Sequence, residues 1–139
     1  MKFSEMNIYQ KVLFVVSIIE MLGALLLIGL SFGAFAAAKD PTITNVKPYH
    51  GYVLLFSGII SFITSFFGCR GAKDITKIKP AYIFTMIALV SSVISVVVAL
   101  FNESGSTVNY ISVLSNIVLF YCAYKINQEN NANQNNNQV

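Results

Sequence analysis

The chain has 139 residues, of which 55% are hydrophobic and only 11% are charged. Soluble domains carry about a quarter charged residues, so this composition predicts an integral membrane protein whose surroundings are lipid. The net charge of +3 is small and scattered, and no basic stripe interleaved with aromatic residues occurs, which excludes nucleic acid as a partner.

Four apolar stretches follow one another along the chain, each near the roughly 20 residues with which a helix crosses a hydrocarbon core. Each stretch is a continuous apolar run without the alternation of a membrane barrel, so all four are predicted to be helices. The predicted fold is therefore all-α: a four-helix transmembrane bundle with short loops, formed by residues 1–127. The spans are expected at about residues 12–38, 52–68, 81–101 and 107–124.

The connectors between the spans are too short to fold into a domain, at about residues 39–51, 69–80 and 102–106. The last of them, Asn102–Ser106, has the composition of a turn and predicts that the third and fourth spans are antiparallel neighbours. Residues 128–139 are mostly Asn and Gln without apolar periodicity, so a disordered cytoplasmic tail is expected there.

Basic residues are distributed unequally between the two sides that alternating spans would create. Lys39 and Lys47 fall on one side, and seven cations fall on the other: Lys2, Lys11, Arg70, Lys73, Lys77, Lys79 and Lys125. This asymmetry predicts a multi-pass plasma membrane protein with both termini in the cytoplasm. The seven tyrosines lie near predicted span ends, as in an aromatic belt.

The basic cytoplasmic loop between the second and third spans contains Arg70, Lys73, Lys77 and Lys79. It is explained by topology alone or, alternatively, by binding of anionic lipid headgroups. Cys69 at its start and Cys122 in the fourth span lie near the cytoplasmic ends of their spans, where a structural disulfide is not expected. They are interpreted as small packing residues, with lipidation as the alternative.

A short sequence occurs twice, on loops that the predicted topology places on opposite membrane faces. Ala38-Lys39-Asp40 follows the first span, and Ala72-Lys73-Asp74 follows the second. The pattern is compatible with an inverted repeat of the kind found in transporters, and also with chance.

Glu20 is the only ionisable residue well inside a predicted span. Counting along the helices at 1.5 Å per residue places Ser61 and Asn116 at a similar depth. We therefore predict an intramembrane polar cluster in which a protonated Glu20 donates a hydrogen bond to the Asn116 amide or the Ser61 hydroxyl. Such a cluster is either a structural clamp between helices or a site that handles a proton or a cation.

Small residues recur at helical spacing, and Gly29 and Gly33 form a GxxxG motif in the first span. This motif predicts close helix packing, either inside the bundle or against a second copy or a partner subunit.

Two local resemblances to known families accompany the likeness of the whole plan to small four-span bacterial membrane proteins. Gly68-Cys69-Arg70-Gly71 resembles the Gly-Cys-Cys-Gly segment of tetraspanins, which have four spans and cytoplasmic termini. Glu20-Met21-Leu22-Gly23 is similar to the Glu-x-x-Gly motif of the small multidrug resistance exporters. Their membrane-embedded glutamate exchanges protons for cationic substrates, and the similarity implies that part for Glu20.

No paired carboxylates, Ser-His or Cys-His arrangement, metal-ligand spacing or glycine-rich phosphate loop occurs in the sequence. We therefore expect no catalytic residue, no metal and no cofactor. The sequence favours an accessory or scaffolding protein without enzymatic activity, a subunit of a larger membrane complex or a self-associating chain. The alternative is a small proton-coupled transporter or exporter that uses Glu20.

Overall fold

The structure, a computed structural model, describes residues 3–40, 42, 48–101 and 107–136. The described residues form four α-helices and two 3₁₀ turns, which confirms the predicted all-α bundle. The helices are α1 (Ile8–Ala37), α2 (Pro48–Lys73), α3 (Ile78–Phe101) and α4 (Thr107–Asn136). The 3₁₀ turns are Phe3–Glu5 and Ile75–Lys77. The predicted turn Asn102–Ser106 and two of the counted cations, Lys2 and Lys47, lie outside the described residues.

α1 begins at Ile8, four residues before the predicted start, because a capping box precedes the apolar run. The Asn7 side chain accepts a hydrogen bond from the Gln10 backbone at 2.8 Å, and the Gln10 side chain accepts one from the Asn7 backbone at 3.0 Å. The Gln10 amide also donates to the Ala72 carbonyl of α2 at 2.9 Å. This buried contact attaches the first turn of α1 to the last turn of α2.

The predicted basic loop is mostly helical. Arg70 and Lys73 belong to the last turn of α2, and Lys79 belongs to the first turn of α3. Asp74 lies between the helices and accepts hydrogen bonds from the backbone and the hydroxyl of Thr76 at 3.1 and 2.6 Å. Its ion pair with Lys77 is 2.7 Å long. The hydrogen bonds from Lys77 and Thr76 lower the pKa of Asp74 to about 2.

α4 differs from the expected boundary, because it continues to Asn136 instead of giving way to a disordered tail at residue 128. Extension of an existing helix adds a backbone hydrogen bond for each residue that it orders, so a polar sequence can follow an apolar one in the same helix. The end of α4 also has tertiary contacts: Asn130 is buried, and the Glu129 carboxylate accepts a hydrogen bond from the Asn7 amide at 2.8 Å.

The most extensive helix interface joins α1 and α2, which are antiparallel. Buried residues recur every seven positions in both helices: Gln10, Ser17, Ala24 and Ser31 in α1, and Gly51, Gly58, Ser65 and Ala72 in α2. Most of these residues are small, so the two backbones approach closely. A methyl group at Gly58 would lie 3.1 Å from the Ala24 carbonyl oxygen. The seven-residue period is typical of helices that wind around each other with a left-handed supercoil.

The apolar core lies at the end of the bundle where α1 begins and α2 ends. All four helices contribute to it, through Leu13, Ala72, Ile78, Ala81, Leu119, Cys122, Ala123 and Ile126. Leu13, Ile78 and Ile126 are completely buried. We call this end the basic end, because Arg70, Lys73, Lys77 and Lys79 surround it.

Three stretches of helix are long and apolar enough to cross a membrane: Ile8–Ala37, Gly51–Lys73 and Ile75–Ile94. Their outward faces carry large exposed apolar side chains, among them Leu26, Phe56 and Ile94, which are 69%, 71% and 57% exposed. Water would not stabilise such surfaces, whereas lipid does. The chain is therefore a membrane protein.

Candidate functional site

A partly open cavity lies between the four helices, away from the apolar core, and its lining combines polar with apolar side chains. Its volume is about 580 Å³, within the range of small-molecule sites. We call it the Glu20 chamber, after the one charged side chain among the described residues that line it. Six serines also line it: Ser57, Ser61, Ser91, Ser92, Ser112 and Ser115. Because every helix contributes, the chamber depends on assembly of the whole bundle.

Glu20 lies in the middle of α1 and is partly buried. Its carboxylate accepts a hydrogen bond from the Ser115 hydroxyl of α4. The contact joins residues 95 positions apart in the sequence, so it is a tertiary contact that fixes the Glu20 side chain relative to α4. The carboxylate of an intramembrane acid held in this way has further lone pairs, which can accept a second hydrogen bond or bind a cation in the chamber.

Ser61 and Asn116, the other members of the predicted polar cluster, line the same chamber. The structure thus brings all three predicted residues to one site. The hydrogen bond to Glu20, however, comes from Ser115, the residue before Asn116. Ser115 and Asn116 differ by about 100° around the helix axis, so a prediction of depth alone does not distinguish them.

Several other buried hydroxyl groups of the bundle bond within their own helices. Thr64 donates to the Ile60 carbonyl at 2.9 Å, Thr85 to the Tyr82 carbonyl at 3.0 Å, and Ser92 to the Leu89 carbonyl at 2.9 Å. Serine and threonine side chains commonly bond to the preceding turn in this way. Ser115 instead donates across the chamber to the acid, and this difference distinguishes the Glu20 contact from routine helix packing.

The apolar core lies on the side of the chamber that faces the basic end. Leu13 precedes Glu20 by seven residues in α1, which corresponds to about 10 Å along the helix. Leu119 follows Ser115 one turn later in α4, and both leucines belong to the core. The apolar core therefore lies between the chamber and the basic end along α1 and α4.

Gly29 and Gly33, the predicted packing glycines, lie on the exposed side of α1. Among the described residues, no atom comes within 4 Å of the position that a Cβ would take at either glycine. They do not pack inside the bundle. The glycines that do so are in α2, where Gly58 faces Ile28 and Gly68 faces Ser17.

The polar groups of the lining suit a small cation better than an anion. Carboxylate, hydroxyl and amide oxygens accept hydrogen bonds from ammonium groups and coordinate hard metal ions. No cationic side chain is found among the described residues lining the chamber, so an anion would lack a counter-charge there. Within the described part of the chain, no three His, Cys, Asp or Glu residues come together.

No family model, no curated protein and no solved structure matches this chain.

Proposed function

We propose that the protein is a small membrane transporter that binds a small cationic solute in the Glu20 chamber and exchanges it for a proton. The observation that carries this proposal is that Glu20 is the one carboxylate among the described residues that line a cavity between four helices. An ionised acid at that depth costs several kcal/mol unless a partner neutralises it. A proton and a cation are the two partners available to it, and they compete for the same oxygens.

The exchange is balanced in charge and atoms. When a cation enters, the Glu20 carboxyl group releases its proton and the carboxylate takes the cation as counter-ion. When a proton returns, the cation leaves and the neutral carboxyl group is restored. Ser115 holds the Glu20 side chain in the chamber through both states, since its hydroxyl donates to either form of the acid.

We also propose that the protein has four membrane spans and that both of its termini lie in the cytoplasm. Three spans are apparent from the described helices, and α4 is proposed as the fourth because it packs alongside α1 and α3 and lines the chamber. The cations at the basic end support a cytoplasmic position for that end. Aromatic side chains cluster there too, with Tyr9 and Tyr121 in edge contact at 6.0 Å between ring centroids.

Cation binding is tested by thermal unfolding of the purified protein in detergent, titrated with Na⁺, K⁺, methylammonium or tetramethylammonium chloride. A ligand that binds only the folded state raises the melting temperature with its concentration. We expect one of these cations to raise it by a few degrees at pH 8 and by less at pH 5, where protons compete. Glu20→Gln should abolish the rise.

Glu129→Gln is the matched control, since it removes the same charge from a position of α4 that does not line the chamber. It should retain the response to the cation. An equal response in Glu20→Gln and in the wild type would overturn the proposal.

A second candidate is an accessory subunit or scaffold without enzymatic activity. It is favoured by Gly29 and Gly33, which turn an open, small-residue face of α1 away from the bundle. Such a face admits a second transmembrane helix at close range. In this case Glu20 and Ser115 form only a structural clamp. Purification from native membranes should then retain a larger membrane protein with wild-type protein and lose it with Gly29→Leu.

A further inference from the structure

A second cavity lies between α1 and α2, outside the Glu20 chamber and next to the basic end. Its volume is about 500 Å³. Phe14, Ile18, Met21 and Phe66 form an apolar wall, and Arg70 and Lys73 lie at one end. We call it the lipid groove.

The two cations lie together at the mouth of the groove. They are three residues apart in the last turn of α2, so they lie on the same face of that helix. The Lys73 ammonium group is 5.1 Å from the centroid of the Phe14 ring, within the range of a cation–π contact. This contact holds Lys73 against the apolar wall.

The nearest acid does not neutralise these cations. Asp74 follows Lys73 directly, but its carboxylate is bound by Lys77 and Thr76. Glu129, another acid of this end, accepts a hydrogen bond from the Asn7 amide instead. The mouth of the groove therefore keeps a positive charge that attracts an anion.

The apolar wall leads from the cations toward the middle of the membrane. Met21 lies seven residues beyond Phe14 in α1, about 10 Å along the helix. Phe66 precedes Arg70 by one turn of α2 and is 49% exposed. Both helices are membrane spans, so the groove begins at a membrane interface and extends into the hydrocarbon.

We propose that the lipid groove binds one phospholipid with an anionic headgroup. The headgroup phosphate contacts Arg70 and Lys73, and an acyl chain lies along Ile18, Met21 and Phe66. Arginine is well suited to a phosphate because its planar guanidinium donates two parallel hydrogen bonds. Only an amphiphile contacts both the apolar wall and the two cations of the groove. This inference does not depend on transport through the Glu20 chamber.

Native mass spectrometry of the full chain in detergent tests the proposal, with phosphatidylglycerol and phosphatidylcholine of identical acyl chains as the probes. Wild-type protein should retain one phosphatidylglycerol more tightly than phosphatidylcholine. The double variant Arg70→Gln/Lys73→Gln should weaken phosphatidylglycerol binding about thirtyfold, since two cations next to a lipid phosphate are removed. Lys79→Gln, a cation of the same end outside the groove, is the matched control and should bind within about twofold of wild type.

The reactivity of Cys69 reports whether the groove of the wild-type protein is occupied. Cys69 lines the groove, whereas Cys122 is buried in the core. Bound phosphatidylglycerol should slow the reaction of Cys69 with N-ethylmaleimide, while phosphatidylcholine and inorganic phosphate should not. Protection by inorganic phosphate alone would overturn the assignment to a lipid. Equal loss of binding in Lys79→Gln and in the double variant, or equal retention of both lipids by the wild type, would overturn it as well.

Discussion

Individual buried hydroxyl groups in this protein have different consequences for stability. Ser17 and Ser65 are fully buried between α1 and α2, and their hydroxyl oxygens have no hydrogen-bond partner among the described residues. Ser115, by contrast, donates to Glu20 across the chamber. A buried polar group without a partner is unfavourable, so these positions contribute through their small size alone.

We predict that Ser65→Ala leaves the melting temperature unchanged or raises it, because a methyl group fills the same space without an unpaired hydroxyl. Ser115→Ala, the same substitution in α4, should destabilise the bundle by about 0.6 kcal/mol, the mean for a hydrogen bond between membrane helices. Thermal unfolding of both variants in one detergent measures the difference. A larger loss in Ser65→Ala would contradict the interpretation.

Asp74 gives a prediction for pH. Hydrogen bonds from Lys77 and Thr76 hold the pKa of its carboxyl at about 2, well below the ordinary value near 4. A depressed pKa stabilises the folded turn above the ordinary value, and this contribution is lost as the pH falls from about 4 through about 2. Carbon NMR of the Asp74 carboxyl should give a midpoint near 2, and Lys77→Gln should raise it. A midpoint that Lys77→Gln leaves in place would exclude the lysine as the cause.

The residue scale also shows what a sequence can and cannot specify. The depth of Glu20, Ser61 and Asn116 follows from counting residues, and the structure brings them to one chamber. The rotation of α4 about its axis does not follow from counting, so the sequence does not distinguish Ser115 from Asn116 as the hydrogen-bond donor. Gly29 and Gly33 show the same limit, because a GxxxG motif marks a small face without showing what that face contacts.

At the scale of helices, the α1–α2 pair is organised by small residues spaced seven apart. Gln10 lies opposite Ala72, and Ala24 lies opposite Gly58. This spacing is visible in the sequence, whereas the GxxxG motif of Gly29 and Gly33 lies on the other side of α1. The same hydrogen bonds also occur after the ends of α1 and α2. Asp40 accepts them from the backbone and the hydroxyl of Thr42, and Asp74 accepts them from the same groups of Thr76. The echo in the sequence thus corresponds to the same turn at both helix ends.

The interface predicts opposite outcomes for one substitution at two glycines. A methyl group at Gly58 would lie 2.7 Å from an Ile28 side-chain atom and 3.1 Å from the Ala24 carbonyl oxygen. Because the backbone cannot move away cheaply, Gly58→Ala should destabilise by about 1–3 kcal/mol. Gly29→Ala meets open space and should leave stability unchanged or slightly raised. Equal melting temperatures of the two variants would show that α1 and α2 do not pack this closely.

At the scale of the whole molecule, the apolar core and the Glu20 chamber occupy different levels of the bundle. The apolar core lies at the basic end with the cations, and the Glu20 chamber lies near the middle of α1. The number and approximate limits of the helices followed from hydropathy, whereas their extensions depended on caps and tertiary contacts. The continuation of α4 to Asn136 is such a case, since Asn130 is buried and Glu129 contacts Asn7.

The proposed orientation predicts which positions react with a membrane-impermeant maleimide in intact cells. In a background with both cysteines replaced by alanine, a cysteine at Thr42 should react from outside. Cysteines at Lys77 and Asn133 should react only after the membrane is opened, because both lie on the side with more cations. Labelling of Lys77→Cys in intact cells would contradict cytoplasmic termini.

Exchange of a cation for a proton is the central functional claim, and flux through reconstituted protein tests it most directly. Liposomes containing the protein and a pH-sensitive dye receive an outward gradient of the cation that stabilises the protein. The wild type and Glu129→Gln should acidify the lumen as the cation leaves, while Glu20→Gln, folded to the same melting temperature, should not, since an amide cannot exchange a proton. Proton flux through folded Glu20→Gln at the wild-type rate would contradict the claim.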